Sequence, residues 1–315
     1  MEFARSARVL AVAFSLVAAF CWATYYVFVL WATPGATPSA ILVYPFIFGG
    51  IGYTLWAVAR RQGRAFLGEW RSPSAYLRVS LLVGMQVGVL AATYLTGPVD
   101  AALLSLIGDV VVTPIIVATI LGIHREHIAT PLFAAGLVLS VIGGSLAIAG
   151  GRRLEAIPPL GWLVVPAVPV LVAVFFLLTA RANERVPANA VLAQSMLGAA
   201  VGMVLLAPLL PGGWGGLVRV PPVPLALLAA CGVSSFFLAD ALYFEAIARV
   251  GLAIPPMLMT GIPVFTLLLS ATLLGIGLPL LGLLGIPIAV VGALLTLSGG
   301  PRASDPSGGA SAPGA

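Results

Sequence analysis

An aspartate lies deep inside an otherwise apolar stretch of this sequence, where an ionisable group is costly to keep. Asp109 comes about nine residues into the run Ala101–Ile123, which places it roughly 13 Å deep at about 1.5 Å per residue. Ser105 and Thr113 lie four residues to either side, so the three side chains share one helix face. Ionisable residues in such places usually serve function. This stripe predicts a proton or cation site that faces a central cavity; the alternative is a protonated aspartate hydrogen-bonded to a neighbouring helix.

A second acid, Asp240, lies in the apolar run Val223–Phe244, closer to its cytoplasmic end than to its centre. Phe236, Tyr243 and Phe244 would share its helix face. Two interpretations are open. Asp240 would either line the inner vestibule of a cavity or bind polar groups near the lipid headgroups.

Other aromatic and polar side chains inside apolar runs complete the candidate site. Trp22, Tyr25 and Tyr26 occupy neighbouring positions, which suits the lining of a cavity; helix packing or an interfacial belt is the alternative. Amides in apolar runs either bind substrate or hold helices together. For Tyr243, packing is an equal alternative to lining. The full candidate set for substrate or ion binding is Asp109, Ser105, Thr113, Trp22, Tyr25, Tyr26, Gln86, Gln194, Asp240, Tyr243 and Thr260.

Membrane-spanning helices must position these residues, because the chain is apolar almost throughout. Hydrophobic residues make up 61% of it and charged residues 8%, and the mean hydropathy is +1.13. A spanning helix needs roughly 20 apolar residues, and inside lipid the backbone satisfies its own hydrogen bonds in helices. We predict an all-α integral membrane protein with ten transmembrane helices. They are Val9–Trp31, Ser39–Ala59, Val79–Gly97, Ala101–Ile123, Ala129–Gly150, Pro158–Ala180, Ala188–Leu210, Val223–Phe244, Val250–Leu274 and Leu278–Ser298.

The arginines predict the orientation of these helices. The chain has 15 basic residues, all of them arginine and scattered among short loops, so they indicate topology rather than a nucleic-acid partner. With ten spans both termini lie on one side of the membrane. If that side is the cytoplasm, only Arg152, Arg153 and Arg219 lie outside, in agreement with the positive-inside rule. We therefore predict a multi-pass protein of the cell membrane with both termini in the cytoplasm.

The chain also repeats itself at a constant offset, called here the repeat offset and equal to the separation of Tyr94 from Tyr243. An offset that relates five spans to five spans would place the second copy upside down in the membrane, a recurrent plan of secondary transporters. We predict a first unit over residues 1–150, an inverted second unit over 151–298 and a disordered tail over 299–315. Because Asp109 would correspond to Leu258, the two units would share a scaffold but not their charges. The matched pairs include Tyr94 and Tyr243, Pro114 and Pro263, Gly136 and Gly285, and Gly143 and Gly292.

Several segments resemble a known family. They are Phe20–Tyr26, which is similar to the first helix of that family, and Tyr243–Gly251, Ile262–Phe265 and Leu273–Gly275, which resemble its second half. The family is the EamA-type proteins of the drug/metabolite transporter superfamily. The resemblance covers all ten predicted spans and implies a small-molecule transporter with ten helices. The family usually carries a glutamate just after Leu-Leu-Gly; here His127 and Ile276 stand at those positions, so no role of that glutamate carries over.

The function expected from the residues and the resemblance is secondary transport. We expect an exporter of a small neutral, zwitterionic or cationic metabolite such as an amino acid, because no basic residue lies within a predicted span to bind an anion. Coupling to protons is open, as are monomer and homodimer. A non-transporting membrane scaffold is the alternative. An enzyme is not expected, because no nucleophile motif or paired acids with histidine are present. The partners would be a small molecule, membrane lipid and protons, without nucleic acid, cofactor or metal: His124 and His127 supply too few ligands.

Overall fold

The computed structural model describes residues 2–96, 130–151, 159–250, 255–259, 261–275 and 280–298. Within these ranges the chain is helical and contains no β-strand. The predicted fourth span, Ala101–Ile123, lies outside the described residues. So do four of the proposed site residues, which are Asp109, Ser105, Thr113 and Thr260, and the predicted tail over 299–315.

The helices are numbered here in chain order. A π-helical segment, Gly232–Leu238, joins α9 to α10 without a break, and a 3₁₀ turn, Ala207–Leu209, extends α7. The first half contains α1 Glu2–Ala32, α2 Pro38–Ala59, α3 Gly63–Glu69, α4 Pro73–Thr96 and α5 Pro131–Gly151. The second half contains α6 Pro159–Asn183, α7 Ala188–Leu206, α8 Gly213–Val218, α9 Pro222–Cys231, α10 Ala239–Val250, α11 Pro255–Leu258, α12 Gly261–Leu273 and α13 Leu280–Ser298.

Five helical stretches among the described residues are long and apolar enough to cross a membrane. Shorter apolar helices accompany them in α5, α6, α12 and α13. The all-α membrane class predicted from the sequence is therefore confirmed, whereas the count of ten spans stays a prediction. The five stretches are Val9–Ala32, Pro38–Ala59, Pro73–Thr93, Ala188–Leu209 and Pro222–Val250.

The predicted start of the third span and one inference drawn from it were wrong, and the helix of the eighth span continues past its predicted end at Phe244 to Val250. Helix α4 begins at Pro73, six residues before the predicted start at Val79. Proline suits a helix start because its missing N–H would be unpaired there anyway. Arg78 therefore lies inside a membrane-capable helix and is fully buried, against the expectation that no basic residue lies within a span. The physical reason is its partner: Glu69 of α3 forms a buried ion pair with Arg78.

Helix starts recur along the chain at nearly constant spacing. Helix α4 begins at Pro73 and α9 at Pro222, and the repeat offset separates these two positions. Helices α5 and α13 begin at Pro131 and Leu280, which the same offset separates. The short helices α3 and α8 begin one residue further apart than this, within the one- or two-residue uncertainty of any helix end. The spacing found between identical residues in the sequence is thus also a spacing between helix boundaries.

Helices α5 and α13 pack so closely that only glycine fits at their crossing. A β-carbon placed on Gly143 would lie 2.6 Å from the carbonyl oxygen of Gly285. One placed on Gly292 would lie 2.7 Å from the carbonyl oxygen of Gly136. The repeat offset relates the two contacts. It separates Gly143 from Gly292, and it also separates Gly136 from Gly285. The crossing is therefore locally twofold symmetric, and small residues let the two backbones touch as in other membrane helix pairs.

The core lies between the helices that surround the rod formed by α9, the π-helical segment and α10. Helix α1 packs along this rod and against α12, and α2 packs on the π-helical segment and on α7. Helix α4 packs against α6 and α7. The largest buried apolar side chains include Phe46 and Tyr53 of α2, Phe175 of α6 and Met196 of α7. This arrangement brings α1, α2 and α6 around the middle of the rod.

Candidate functional site

Asp240 occupies the second position of α10, directly after the π-helical segment. It lies ten residues before Val250, the end of α10, or roughly 15 Å at about 1.5 Å per residue. Asp240 therefore lies nearer to the middle of the rod than to its end, and whether it lines a cavity stays a prediction. The side chain is buried, with 6% of the residue exposed.

No basic side chain among the described residues pairs with Asp240. The two ion pairs found there join Arg78 with Glu69 and Arg249 with Glu245. An isolated carboxylate is costly in an apolar interior, so an unpaired acid at this depth is a candidate for function. The structure thus singles out Asp240 among the acids that it describes.

Two polar side chains from other helices approach the Asp240 carboxylate. Trp22 of α1 lies close enough for its side chain to interact with it. Tyr53 of α2 lies close enough to interact with its charge, and the buried Tyr53 hydroxyl has no hydrogen-bond partner among the described residues. Sequence reasoning found Trp22 but missed Tyr53. The signal was present, since Tyr53 is a polar-tipped aromatic inside the second apolar run.

Aromatic rings form a wall beside the carboxylate. The ring centroids of Trp22 and Tyr243 are 5.1 Å apart, and those of Tyr243 and Phe176 are 5.3 Å apart. Tyr25 contacts both Tyr26 and Phe236 through edge-to-face pairs. Phe176, on α6, was not predicted, because a phenylalanine in an apolar run carries no distinguishing pattern. A carboxylate flanked by such rings suits a cationic group, which the negative faces of aromatic rings also attract.

The two predicted amides lie elsewhere. Gln194 is fully buried in α7, where its Oε1 accepts a hydrogen bond from the Ser195 hydroxyl at 3.4 Å and its amide nitrogen has no partner. Gln86 is nearly buried in α4. Neither is a hydrogen-bond partner of Asp240. Although α4 and α7 pack against each other, no hydrogen bond among the described residues joins either amide to a neighbouring helix, so both interpretations of these amides stay predictions.

A cluster of hydroxyls fixes α1 onto the π-helical segment one turn before Asp240. The Thr24 and Ser234 hydroxyl oxygens are 3.0 Å apart, and the Ser235 hydroxyl donates to the Cys21 carbonyl oxygen at 2.9 Å. Segments of π-helix are rare and occur frequently at functional sites. On the opposite side, a β-carbon on Gly232 would contact the Pro45 carbonyl oxygen at 2.5 Å, so α2 approaches this segment closely. The backbone that carries Asp240 is thereby held from two sides.

Metal binding finds no support in the part of the chain that the structure describes. Within that part, no group of three or more His, Cys, Asp or Glu side chains is placed to hold a metal ion. His124 and His127 lie outside the described residues, so the expectation that they bind no metal stays a prediction.

Fold and site together define a helical membrane protein whose apolar interior holds an acid among aromatic rings. Residues 159–298 match the EamA-like transporter family, so this part of the chain is similar to a family of membrane transporters. The resemblance recognised from the sequence is thereby confirmed over these residues, and the apolar helices together with this match show a multi-pass membrane protein.

The similarity to solved structures extends over most of the chain. A solved structure described only as the crystal structure of a protein superposes with a TM-score of 0.69 at 21% sequence identity. The alignment covers 91% of this chain and 97% of that chain. At this identity the likeness shows the fold alone. None of the curated proteins compared with the chain matches it.

Proposed function

We propose that the protein is a secondary transporter that exports a small neutral, zwitterionic or cationic metabolite, such as an amino acid, by alternating access. The observation that carries the proposal is Asp240, a buried carboxylate without a basic partner among the described residues. A structural core would be more stable with an apolar residue there, since a buried ionisable group costs free energy unless it is paired.

The surroundings of Asp240 suit a ligand that carries a positive charge. An ammonium group would bind the carboxylate directly and lie against the rings of Trp22 and Tyr243, which attract cations through their faces. The unpartnered Tyr53 hydroxyl is an additional hydrogen-bonding group for such a ligand. A proton would neutralise the carboxylate when the ligand leaves, and this exchange would couple transport to a proton gradient.

Alternating access follows from the proposed inverted repeat of residues 1–150 and 151–298. The recurrent helix starts and the exchanged glycine contacts between α5 and α13 support such a repeat. The Ser140 hydroxyl also donates to the carbonyl oxygen of Ala289, which lies one repeat offset further along the chain, at 3.4 Å. In transporters built from inverted repeats, one half rocks against the other around a substrate site near the midplane. The arginine distribution favours an orientation with both termini in the cytoplasm.

The buried Arg78 does not change the expected charge of the substrate. Its guanidinium is occupied by Glu69 and also donates to the Ser74 hydroxyl at 3.3 Å. A cation that already has its counterion gives little further attraction to an anionic substrate. The proposal therefore keeps neutral, zwitterionic or cationic substrates.

Transport assays in proteoliposomes test this role of Asp240. Counterflow of amino acids and aromatic amines would be measured for wild type, Asp240→Asn and the matched control Glu245→Gln. Glu245 lies on the same helix but is exposed and pairs with Arg249. We expect Asp240→Asn to lose at least tenfold in rate, equivalent to about 1.4 kcal/mol, and Glu245→Gln to stay within twofold. Equal rates in Asp240→Asn and wild type would refute the site, and a wild type inert towards every compound would favour the scaffold alternative.

Asp109 is a second candidate for proton coupling, although it lies outside the described residues. Replacing it with asparagine keeps its shape but fixes the neutral form. If Asp109 couples, Asp109→Asn exchanges substrate between equal compartments but no longer accumulates it under a pH gradient. Gradient-driven accumulation equal to that of wild type would assign coupling elsewhere.

A further inference from the structure

The segment from the end of α2 to the first turns of α4 carries more charge than a connection between two helices requires. Residues 60–78, called here the α3 hairpin, contain five arginines and one acid, Glu69. From the sequence, these arginines served only as markers of topology. Their three-dimensional arrangement also makes one face of the hairpin basic, because the acid Glu69 pairs with Arg78.

Glu69 does not lie at the surface, because it forms a buried ion pair with Arg78. The pair is buried, and neither residue contributes charge to the solvent-facing side of the hairpin. The four arginines that remain are exposed, and none pairs with a carboxylate among the described residues. The outer face of the α3 hairpin is therefore purely basic, and it consists of Arg60, Arg61, Arg64 and Arg71.

The backbone of the hairpin holds these arginines in fixed positions. Helix α2 ends in two bonds that form a Schellman motif, from the Gln62 N–H to the Ala57 carbonyl oxygen and from the Arg61 N–H to the Val58 carbonyl oxygen. Arg61 has φ 58°, a conformation that this motif usually assigns to glycine. Arg61 thus places a cationic side chain at a position where the backbone conformation favours glycine.

Apolar side chains flank the basic face. Leu67 is 65% exposed, Tyr76 57% and Leu77 50%. Tyr76 is held in place because its hydroxyl donates to the Trp70 carbonyl oxygen at 2.9 Å. Exposed apolar and aromatic groups next to arginines at the end of spanning helices are typical of the interface between headgroups and acyl chains.

We propose that Arg60, Arg61, Arg64 and Arg71 form a binding surface for the headgroups of anionic phospholipids. Guanidinium groups bind phosphate oxygens through paired N–H donors. Each basic residue near an anionic leaflet strengthens binding by about fivefold. In the predicted orientation this leaflet is the cytoplasmic one. The flanking apolar groups favour a lipid over a free phosphate, which has no acyl chains to contact them. The proposal goes beyond the transport function and does not depend on it.

A matched control lies on the short helix of the second half. Arg219 follows α8 directly, is exposed, and is the only basic residue between α7 and α9. It is a single charge without basic neighbours in that connection. If lipid binding depends on the cluster of four arginines, replacing Arg219 should not change it.

Thermal unfolding of the purified full chain in neutral detergent tests the surface. Phosphatidylglycerol, phosphatidylcholine or inorganic phosphate would be added to wild type, to the Arg60/Arg61/Arg64/Arg71→Gln variant and to Arg219→Gln. A ligand that binds the native state raises Tm. We expect phosphatidylglycerol to raise the Tm of wild type and Arg219→Gln by about 3 °C or more, with little effect of phosphatidylcholine. The shift should fall by at least half in the fourfold variant.

Three results would overturn the proposal: the same lipid shift in the fourfold variant, its loss in Arg219→Gln, or an equal shift with inorganic phosphate, which would indicate a free-anion site. If the fourfold variant does not fold, the double variant Arg64→Gln/Arg71→Gln replaces it. Native mass spectrometry would then count bound phosphatidylglycerol, and a count equal to that of wild type would overturn the proposal as well.

Discussion

The short helices α3 and α8 occupy corresponding places in the two halves, but different chemistry holds them. Each connects two long helices, and the separation of their starts is within one residue of the repeat offset. Helix α3 is fixed by the buried ion pair of Glu69 with Arg78. Helix α8 is fixed by neutral bonds: its Gly213 carbonyl oxygen accepts from Ser39 at 3.0 Å and its Leu217 carbonyl oxygen from Tyr44 at 2.6 Å. The two helices have similar positions along the chain, but only α3 is held by a buried ion pair.

The same distinction separates the α5–α13 crossing from the Asp240 site. The crossing exchanges glycine for glycine across the repeat offset, so both halves contribute identical chemistry. Asp240 has alanine, Ala91, at the corresponding position of the first half. Glycines related by the repeat offset thus join α5 to α13, whereas Asp240 has no acid at the corresponding position. Variants around α3 and α8 test whether an ion pair holds the first helix and the backbone geometry holds the second.

Breaking the ion pair should have the largest effect. Arg78→Ala leaves the Glu69 carboxylate buried without a partner, and losing one member of a buried pair typically costs about 3–5 kcal/mol. We expect a clear fall in the midpoint of unfolding, measured by tryptophan fluorescence in detergent. Removing both charges together, in Arg78→Met/Glu69→Leu, should restore most of the loss, since an apolar pair needs no counterion. A single variant as stable as wild type would show that the pair does not hold α3.

Removing the glycine before α8 should have an intermediate effect. Gly212 has φ 98°, and a β-carbon there would lie 2.6 Å from the Thr37 hydroxyl oxygen. Gly212→Ala should therefore destabilise the protein by about 2 kcal/mol, from the left-handed backbone and the contact together. Gly215, inside α8, has no atom within 4 Å of its β position. Gly215→Ala should be neutral or slightly stabilising, because alanine favours helix. Equal losses in the two variants would contradict a role for the Gly212 backbone.

Relaxing the turn before α3 should have the smallest effect, and of opposite sign. Arg61 adopts φ 58°, so Arg61→Gly removes strain and should stabilise the protein by about 1 kcal/mol in neutral detergent. Arg60 has an ordinary φ of −85°, and Arg60→Gly should be neutral or destabilising because glycine loses more entropy on folding. Unfolding midpoints of the two variants in the same detergent check the sign. A destabilised Arg61→Gly would show that the side chain makes contacts that outweigh the strain.

Much of the architecture could be predicted from local patterns. The second span was placed over Ser39–Ala59 and forms the helix Pro38–Ala59, because a long apolar run in lipid has no alternative to a helix. The start of α4 was misplaced because the uninterrupted apolar run in the sequence begins only after Arg78. Its burial depends on Glu69, nine residues earlier, and a pattern read along one helix does not reveal a partner on another.

Only some residues of the candidate site could be predicted from the sequence. Asp240, Trp22 and Tyr243 could be selected from the sequence, because acids and polar-tipped aromatics are conspicuous in apolar runs. Phe176 and the hydroxyls of Thr24 and Ser235 could not, because phenylalanine, serine and threonine are ordinary in such runs. Their place in the site depends on contacts between α1, α6 and the rod.

The sequence by itself determined the solvent and the helical class of this protein, since only helices satisfy the backbone in a bilayer across such apolar runs. It also determined the repeat offset, which is a property of residue order. Only the tertiary structure decided which charges are free. It paired Arg78 with Glu69 and placed Asp240 beside Trp22 and Tyr53 without a basic partner among the described residues. The physical reason is that a charge in an apolar medium takes its state from groups within a few ångströms, and those groups come from distant parts of the chain.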